Sequence, residues 1–211
     1  MTILEFLDYL AIAVFAATGA LSASRKQLDL IGFVFLAAVT GIGGGTFRDL
    51  ILGQLPVFWV RNPNYLLVCL GAGIVVYFTA HLVWSRYRIL LWLDAIGLSA
   101  YAALGAAKGL AATGSPIVAI VTGMLTAAFG GVLRDLLAGE PSVILRPEIY
   151  ISAAMAGAAV YTGADMLGLS QLACFLVAMA AAFVIRGGAL RYGWTFPVYK
   201  GRPGRDPDDV M

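Results

Sequence analysis

The chain has 211 residues, of which 61% are hydrophobic and only 12% are charged, and its mean hydropathy is +0.88. A soluble domain carries about 25% charged residues, so this composition excludes an ordinary soluble protein. The formal net charge is +2, and the Lys and Arg residues are scattered between apolar blocks without forming a patch. We therefore expect no binding of nucleic acid.

Seven apolar blocks follow one another along the chain, each near the roughly 20 residues that a helix needs to cross a bilayer. The first carries acids where a signal peptide has bases, so we expect it to be retained as a helix. The sequence predicts an all-α integral membrane protein with seven transmembrane helices in a single membrane domain, residues 1–187. Residues 188–211 turn aromatic and basic and then polar, which predicts an interfacial segment followed by a disordered cytoplasmic tail. The predicted spans are 5–23, 29–53, 64–84, 89–107, 116–139, 148–166 and 169–187.

The basic residues between the spans predict the orientation, because cytoplasmic loops carry an excess of Lys and Arg. With the N-terminus outside, only Arg61 and Lys108 face outward. The inner side then receives Arg25, Lys26, Arg86, Arg88, Arg146, Arg186, Arg191, Lys200, Arg202 and Arg205. We therefore expect the N-terminus outside and the C-terminus in the cytoplasm.

Residues recur at a constant offset of 86 positions. Each repeat holds three spans, an odd number, so the second copy (about 89–166) must enter the membrane upside down relative to the first (about 5–84). Inverted repeats of this kind are typical of transport proteins. The span 169–187 lies outside the repeat. The equivalent pairs are Asp8 and Asp94, Phe15 and Tyr101, Gly19 and Gly105, Thr40 and Thr126, Gly44-Gly45 and Gly130-Gly131, and Arg48-Asp49 and Arg134-Asp135.

Glycine-rich motifs occupy matching positions in the second and fifth spans: GIGGGTFRD at 41–49 and AAFGGVLRD at 127–135. Each glycine costs a helix about 1 kcal/mol relative to alanine, so we expect both helices to be broken there. In this interpretation Gly43, Gly44, Gly45, Gly130 and Gly131 expose backbone groups to a central pathway, with Thr46 and Thr126 beside it. Close packing of helices through small residues is the alternative.

Arg48, Asp49, Arg134 and Asp135 are charges inside spans, where such residues normally face a bundle interior and find partners. Adjacent residues point about 100° apart on a helix, so we expect each arginine to pair elsewhere. Topology favours Asp8 for Arg48 and Asp94 for Arg134. The two pairs would be gates at opposite mouths of one pathway, or purely structural ion pairs that lock neighbouring helices together.

Other polar residues give weaker signals. Lys108 follows the fourth span and is interpreted as a lysine that reaches toward the interface, and Glu140 as a solvated loop acid. Cys69 and Cys174 lack partners at useful spacing and are predicted to be buried thiols. The chain contains no motif for a nucleophile, a zinc ion or a phosphate, so we expect no enzyme, no metal and no cofactor.

The motifs GGGTFRD at 43–49 and GGVLRD at 130–135, within a 3+3+1 arrangement of spans, resemble the trimeric intracellular cation channel (TRIC) family, in its prokaryotic branch, over residues 5–187. The second copy departs from the pattern, with Phe129 in the place of Gly43. The resemblance implies a homotrimer in a bacterial inner membrane, surrounded by lipids. Each protomer would hold its own pathway for potassium and other monovalent cations.

Two other functions are weighed against a channel. A secondary carrier for a small solute such as glycine would need a closed site near the midplane and rocking of the two repeats. The scarcity of polar side chains at the glycines favours a channel over that carrier. A structural scaffold explains neither the glycines nor the buried charges.

Overall fold

The computed structural model describes residues 3–145, 147–197 and 199, and these residues form an all-α bundle. The seven long helices correspond in order to the seven predicted spans, and one short helix lies in the loop after the second. Arg146, Lys200, Arg202, Arg205 and most of the predicted tail lie outside the described residues. The helices are α1 Ile3–Arg25, α2 Leu30–Ile51, α3 Phe58–Arg61, α4 Asn64–Thr79, α5 Arg86–Thr113, α6 Pro116–Leu137, α7 Ile151–Met166 and α8 Gln171–Tyr192.

The helices begin and end at recognisable capping residues. The side chains of Asp29, Ser85, Ser115 and Ser170 accept hydrogen bonds from the first turns of α2, α5, α6 and α8. Helices α5 and α8 run beyond their predicted ends at 107 and 187. They end instead at Gly114 and Gly193, whose φ angles of +64° and +69° suit glycine.

Six of the described helical segments are long and apolar enough to cross a bilayer. Helix α4 qualifies because a 3-10 turn, Ala80–Leu82, prolongs it. Helix α7 has 16 residues and falls short. At 1.5 Å per residue α7 is about 24 Å long, less than the roughly 30 Å of hydrocarbon in a bilayer.

Helices α2 and α6 cross in backbone contact at the centre of the bundle, and glycines make this approach possible. A Cβ atom on Gly44 would collide with the carbonyl oxygen of Thr126, and a Cβ on Gly130 with the carbonyl oxygen of Thr40. Position 44 of α2 meets position 126 of α6, and position 40 meets position 130, so the two helices run antiparallel. Both are continuous α-helices across their glycines, so the predicted breaks are wrong. Close packing against the second helix offsets the low helix propensity of these glycines.

Helices α1 and α5 flank this central pair through equivalent residues. A Cβ on Gly19 would collide with the backbone of α2, and one on Gly105 with the side chain of Thr126. The rings of Phe15 and Tyr101, which are equivalent under the 86-residue offset, contact each other with centroids 5.2 Å apart. The contacts around the α2–α6 crossing thus occur in matching pairs.

Helices α7 and α8 complete the bundle on one side. A Cβ on Gly157 of α7 would lie 2.7 Å from the Cβ of Ala182 on α8, and Trp92 of α5 lies against Gly187 of α8. Cys69 and Cys174 are buried free thiols, as predicted.

Candidate functional site

The first charge cluster, here the Arg48 cluster, consists of Arg48, Asp49, Asp8 and Lys108. Arg48 and Asp49 lie in the last turn of α2 and are 2% and 3% exposed. Nε and Nη2 of Arg48 donate to Oδ1 of Asp49 over 3.0 and 2.6 Å. The expectation that these adjacent residues cannot pair is wrong, because the long arginine side chain folds back to reach its neighbour.

Asp49 also fixes the loop that follows α2. Its Oδ2 atom accepts a hydrogen bond of 2.8 Å from the backbone N–H of Phe58, at the start of α3. One buried carboxylate therefore holds the arginine with one oxygen and the entry to α3 with the other.

Asp8 pairs with Lys108 rather than with Arg48, so the expected Asp8–Arg48 pair is wrong. Nζ of Lys108 lies 2.7 Å from Oδ2 of Asp8, and the hydroxyl of Tyr65 donates to the same oxygen over 3.3 Å. Because α5 continues to Thr113, Lys108 lies inside a helix that packs against α1. The interpretation of Lys108 as a lysine that only reaches toward the interface is also wrong.

The second charge cluster, here the Arg134 cluster, consists of Arg134, Asp135, Asp94 and Thr18. Nη1 of Arg134 donates to Oδ1 of Asp94 over 2.6 Å, which is the expected pair, and to Oγ1 of Thr18 over 3.2 Å. Nε and Nη2 donate to Oδ1 of Asp135 over 3.0 and 2.9 Å. Oδ2 of Asp135 accepts from the backbone N–H of Val143 over 3.0 Å, as Asp49 does from Phe58.

Tyr150 lies beside the Arg134 cluster, with its hydroxyl close to Gly131. Within the described residues, neither this hydroxyl nor Oδ2 of Asp94 has a hydrogen-bond partner.

Further ion pairs surround the Arg134 cluster. Nη1 of Arg25 lies 3.0 Å from Oε2 of Glu140, and Nζ of Lys26 lies 3.7 Å from Oε1. The interpretation of Glu140 as a solvated loop acid is therefore wrong. Nη2 of Arg186, which is fully buried, lies 2.9 Å from Oε2 of Glu148. The sequence analysis does not predict this pair, because it considers Arg186 only as a basic residue that sets the orientation and does not consider Glu148.

The two clusters differ in the space around them. A cavity of about 400 Å³ reaches Arg48, Asp49 and Lys108, and a second of about 250 Å³ reaches Lys108 and Asp8. Tyr65 and Ala111 line both cavities. At the Arg134 cluster the corresponding cavity holds only about 10 Å³. Thus the Arg48 cluster is open, in that it adjoins sizeable cavities, whereas the Arg134 cluster is closed and tightly filled.

The predicted pathway residues lie along α2 and α6 between the clusters, within continuous helix. The hydroxyl of Thr126 donates to the carbonyl of Thr122 over 2.5 Å, and that of Thr46 to the carbonyl of Ile42 over 2.8 Å. Gly45 lies against the ring of Phe58. Gly43 lies in an apolar groove where Phe47 and Phe129 stack with centroids 3.9 Å apart.

Six described helices that are long and apolar enough to cross a bilayer define a polytopic integral membrane protein. A protein-family model described as "Glycine transporter" matches residues 5–81 and 91–166. The chain is similar to a solved structure of a TRIC trimeric intracellular cation channel orthologue from Rhodobacter sphaeroides, with 51% identity and a TM-score of 0.89, over 92% of this chain and 100% of that one. The chain therefore belongs to the trimeric intracellular cation channel family, in its prokaryotic branch.

Two bacterial relatives extend over most of the chain. A UPF0126 membrane protein of Vibrio cholerae is 38% identical over 94% of this chain and 83% of its own length. The UPF0126 inner membrane protein YadS of Escherichia coli strain K12 is 35% identical over 92% of this chain and 95% of its own length.

Proposed function

We propose that the chain is a channel for monovalent cations, potassium among them, with one pathway inside each protomer. The observation that carries the proposal is the position of the two Arg–Asp clusters. Helices α2 and α6 run antiparallel and each carries its Arg–Asp pair in its last turn, so the clusters lie at opposite ends of the bundle. The solved relative at 51% identity is described as a cation channel, not as an enzyme.

The pathway begins at the cavity of the Arg48 cluster. Carboxylates of Asp49 and Asp8 line the two cavities there and favour cations over anions, whereas Lys108 stands between the cavities and restricts passage. The pathway continues along the α2–α6 crossing, past Gly43 to Gly45 and Gly130 to Gly131, and reaches the Arg134 cluster. The small cavity there supports a gate that is shut in this conformation.

We further propose that α7 is a seventh crossing and that the two repeats are inverted. Helix α7 occupies the position in its repeat that α4 occupies in the first, and the antiparallel α2–α6 contact is the one that inversion requires. The N-terminus then lies outside. Arg25 stacks on Tyr87 of α5 and pairs with Glu140 after α6. The end of α1, the start of α5 and the end of α6 therefore lie on one side of the bundle, and their basic residues assign that side to the cytoplasm.

A homotrimer is the proposed assembly, and its support comes from the solved relative described as trimeric. Many of the small residues on α1 and α7, which could otherwise let protomers pack closely, are used within one protomer. Ala16, Ala20, Ala153, Ala154 and Ala158 are fully buried inside the bundle.

The alternative is a carrier for a small solute such as glycine. The matching family model is described as a glycine transporter, and one cluster is open while the other is closed, as alternating access requires. A channel is favoured because the hydroxyls of Thr46 and Thr126 are occupied by their own helices, so few groups remain to recognise a solute.

Recording from purified protein in a planar bilayer under a KCl gradient distinguishes the two functions. A channel gives discrete openings that each carry many ions, with a reversal potential near that of potassium. Absence of openings, together with exchange of labelled glycine across liposomes, would establish the carrier.

A cysteine variant tests whether the current follows the proposed cavities. In a background without Cys69 and Cys174, a positively charged thiol reagent at Ala111→Cys should reduce the potassium current, because Ala111 lines both cavities. The matched control is Ile117→Cys, at a 75% exposed position away from them, where the current should not change.

A further inference from the structure

A large groove lies between the start of α5 and the end of α8, at the same end of the bundle as Arg25. Its cavity of about 730 Å³ is the largest of those described here. Ser85, Arg88 and Arg191 form its polar edge, and Leu91, Trp92 and Leu190 its apolar floor. Neither charge cluster shares a residue with this groove.

The two arginines of the groove lack acceptors that other basic residues at this end possess. Arg25 and Arg186 pair with glutamates, and Arg86 donates to two backbone carbonyls. Among the residues that the structure describes, Arg88 and Arg191 are the only arginine or lysine side chains without an oxygen acceptor. Their guanidinium groups instead lie 5.9 Å from the ring centres of Trp84 and Tyr192.

An exposed apolar strip leads from the groove toward the middle of the bundle. Val177, Val184 and Arg191 are seven residues apart on α8 and therefore share one face. The two valines are 43% and 65% exposed. At the groove, Trp84 is 91% and Tyr192 is 71% exposed, as is typical of aromatic residues at a membrane interface.

We propose that this groove binds the headgroup of an anionic phospholipid. The phosphate lies between Arg88 and Arg191, and an acyl chain lies along Val184 and Val177. Basic pockets between transmembrane helices are known to bind such headgroups. A free phosphate would leave the apolar floor and strip uncovered, so the combination favours a lipid. This lipid site does not depend on the proposed ion conduction. The proposed topology is used only to assign the site to the inner leaflet.

Titration of detergent-solubilised protein with dioleoyl phosphatidylglycerol, followed by native mass spectrometry, tests the site. Loss of both charges in Arg88→Gln/Arg191→Gln should weaken binding of this lipid ~30-fold, because each of the two arginines contributes a similar share of the affinity for an anionic lipid. Binding of dioleoyl phosphatidylcholine should not change. Arg61→Gln is the matched control, since Arg61 is exposed at the other end and donates to the carbonyl of Leu55.

Further variants and ligands distinguish the proposed lipid site from its alternatives. Arg88→Lys/Arg191→Lys retains the charges and should retain most of the binding, whereas equal loss in both double variants would overturn the charge assignment. Unchanged phosphatidylglycerol binding in the glutamine variant would overturn the site itself. If soluble glycerol phosphate binds as tightly as the lipid, the groove is a phosphate site. A changed oligomeric mass in the glutamine variant would instead assign the groove to contact between copies.

Discussion

The Arg48 and Arg134 clusters share a local design but differ in their long-range partners. In each, an arginine pairs with the following aspartate, and that aspartate accepts a backbone N–H from the next segment. Asp94, however, binds the arginine of its own cluster, whereas Asp8 binds Lys108 from α5. The outcome is a tightly filled cluster at one end and an open one, with a lysine between two cavities, at the other. The Arg–Asp motif is thus the same in both helices, while a single lysine changes what surrounds it in one of them.

The largest expected effect is on stability when Arg134 is removed. Arg134→Ala leaves Asp94 and Asp135 buried without their partner and should cost about 3–5 kcal/mol. Arg48→Ala leaves only Asp49 and should cost less. Thermal unfolding in mild detergent, followed by tryptophan fluorescence, measures both. Equal losses in the two variants would mean that the clusters are energetically alike despite their different partners.

Double substitutions sharpen this contrast. Asp94→Asn with Arg134→Gln should be more stable than the sum of its single effects predicts, since the two residues contact each other. Asp8→Asn with Arg48→Gln should be additive, because Asp8 binds Lys108. Coupling in the second pair and none in the first would reverse the assignment of partners.

The α2–α6 crossing should respond equally from its two sides. Gly44→Ala and Gly130→Ala each place a methyl group against a carbonyl oxygen of the other helix, and each should lose about 1–3 kcal/mol by overpacking. Gly71→Ala is the control, because nothing lies within 4 Å of its Cβ position. A large loss at Gly44 but none at Gly130 would show that the two helices do not cross symmetrically.

Lys108→Met tests the open cluster through current rather than stability. The side chain of Lys108 is 35% exposed but that of Asp8 only 7%, so loss of the lysine should also cost stability, though less than loss of the fully buried Arg134. Removal of a positive charge between the two cavities should raise the single-channel potassium conductance. Lys108→Arg, which keeps the charge, is the control, and an unchanged conductance in Lys108→Met would place Lys108 outside the pathway.

The smallest perturbation tests which cluster faces outward. Cysteines at Leu55 and Trp84 occupy exposed positions at opposite ends of the bundle, 64% and 91% exposed. In a background without native cysteines, an impermeant thiol reagent added to intact cells should label Leu55→Cys and leave Trp84→Cys unlabelled. The opposite pattern would invert the proposed orientation.

The sequence was sufficient to predict the helices and one of the two long-range ion pairs. Periodic apolar blocks and the 86-residue offset place Asp94 near Arg134, and the structure pairs them. Topology alone predicts Asp8 for Arg48, because the pattern around Lys108 does not show that α5 continues to Thr113 and brings the lysine to Asp8. Only the capping glycine at Gly114 signals the true end of α5.

The glycine motifs show why a propensity argument fails inside a packed bundle. Glycines lower the stability of an isolated helix, which predicts breaks at Gly43–Gly45 and Gly130–Gly131. Contact with a second helix reverses that preference, and such contact depends on tertiary structure. The pairing of Glu140 with Arg25 is likewise invisible in the sequence, since 115 positions separate the residues.

Helix α5 is a single continuous helix that carries both Arg88 and Lys108. Its 28 residues give a length of about 42 Å, more than the roughly 30 Å of bilayer hydrocarbon. Such a helix must tilt or extend into the headgroups, and its tilt follows the thickness of the membrane. Because Arg88 is near one end and Lys108 near the other, a change in tilt moves the lysine relative to Asp8. We therefore expect bilayer thickness to act on the open cluster mechanically, through the angle of a single helix.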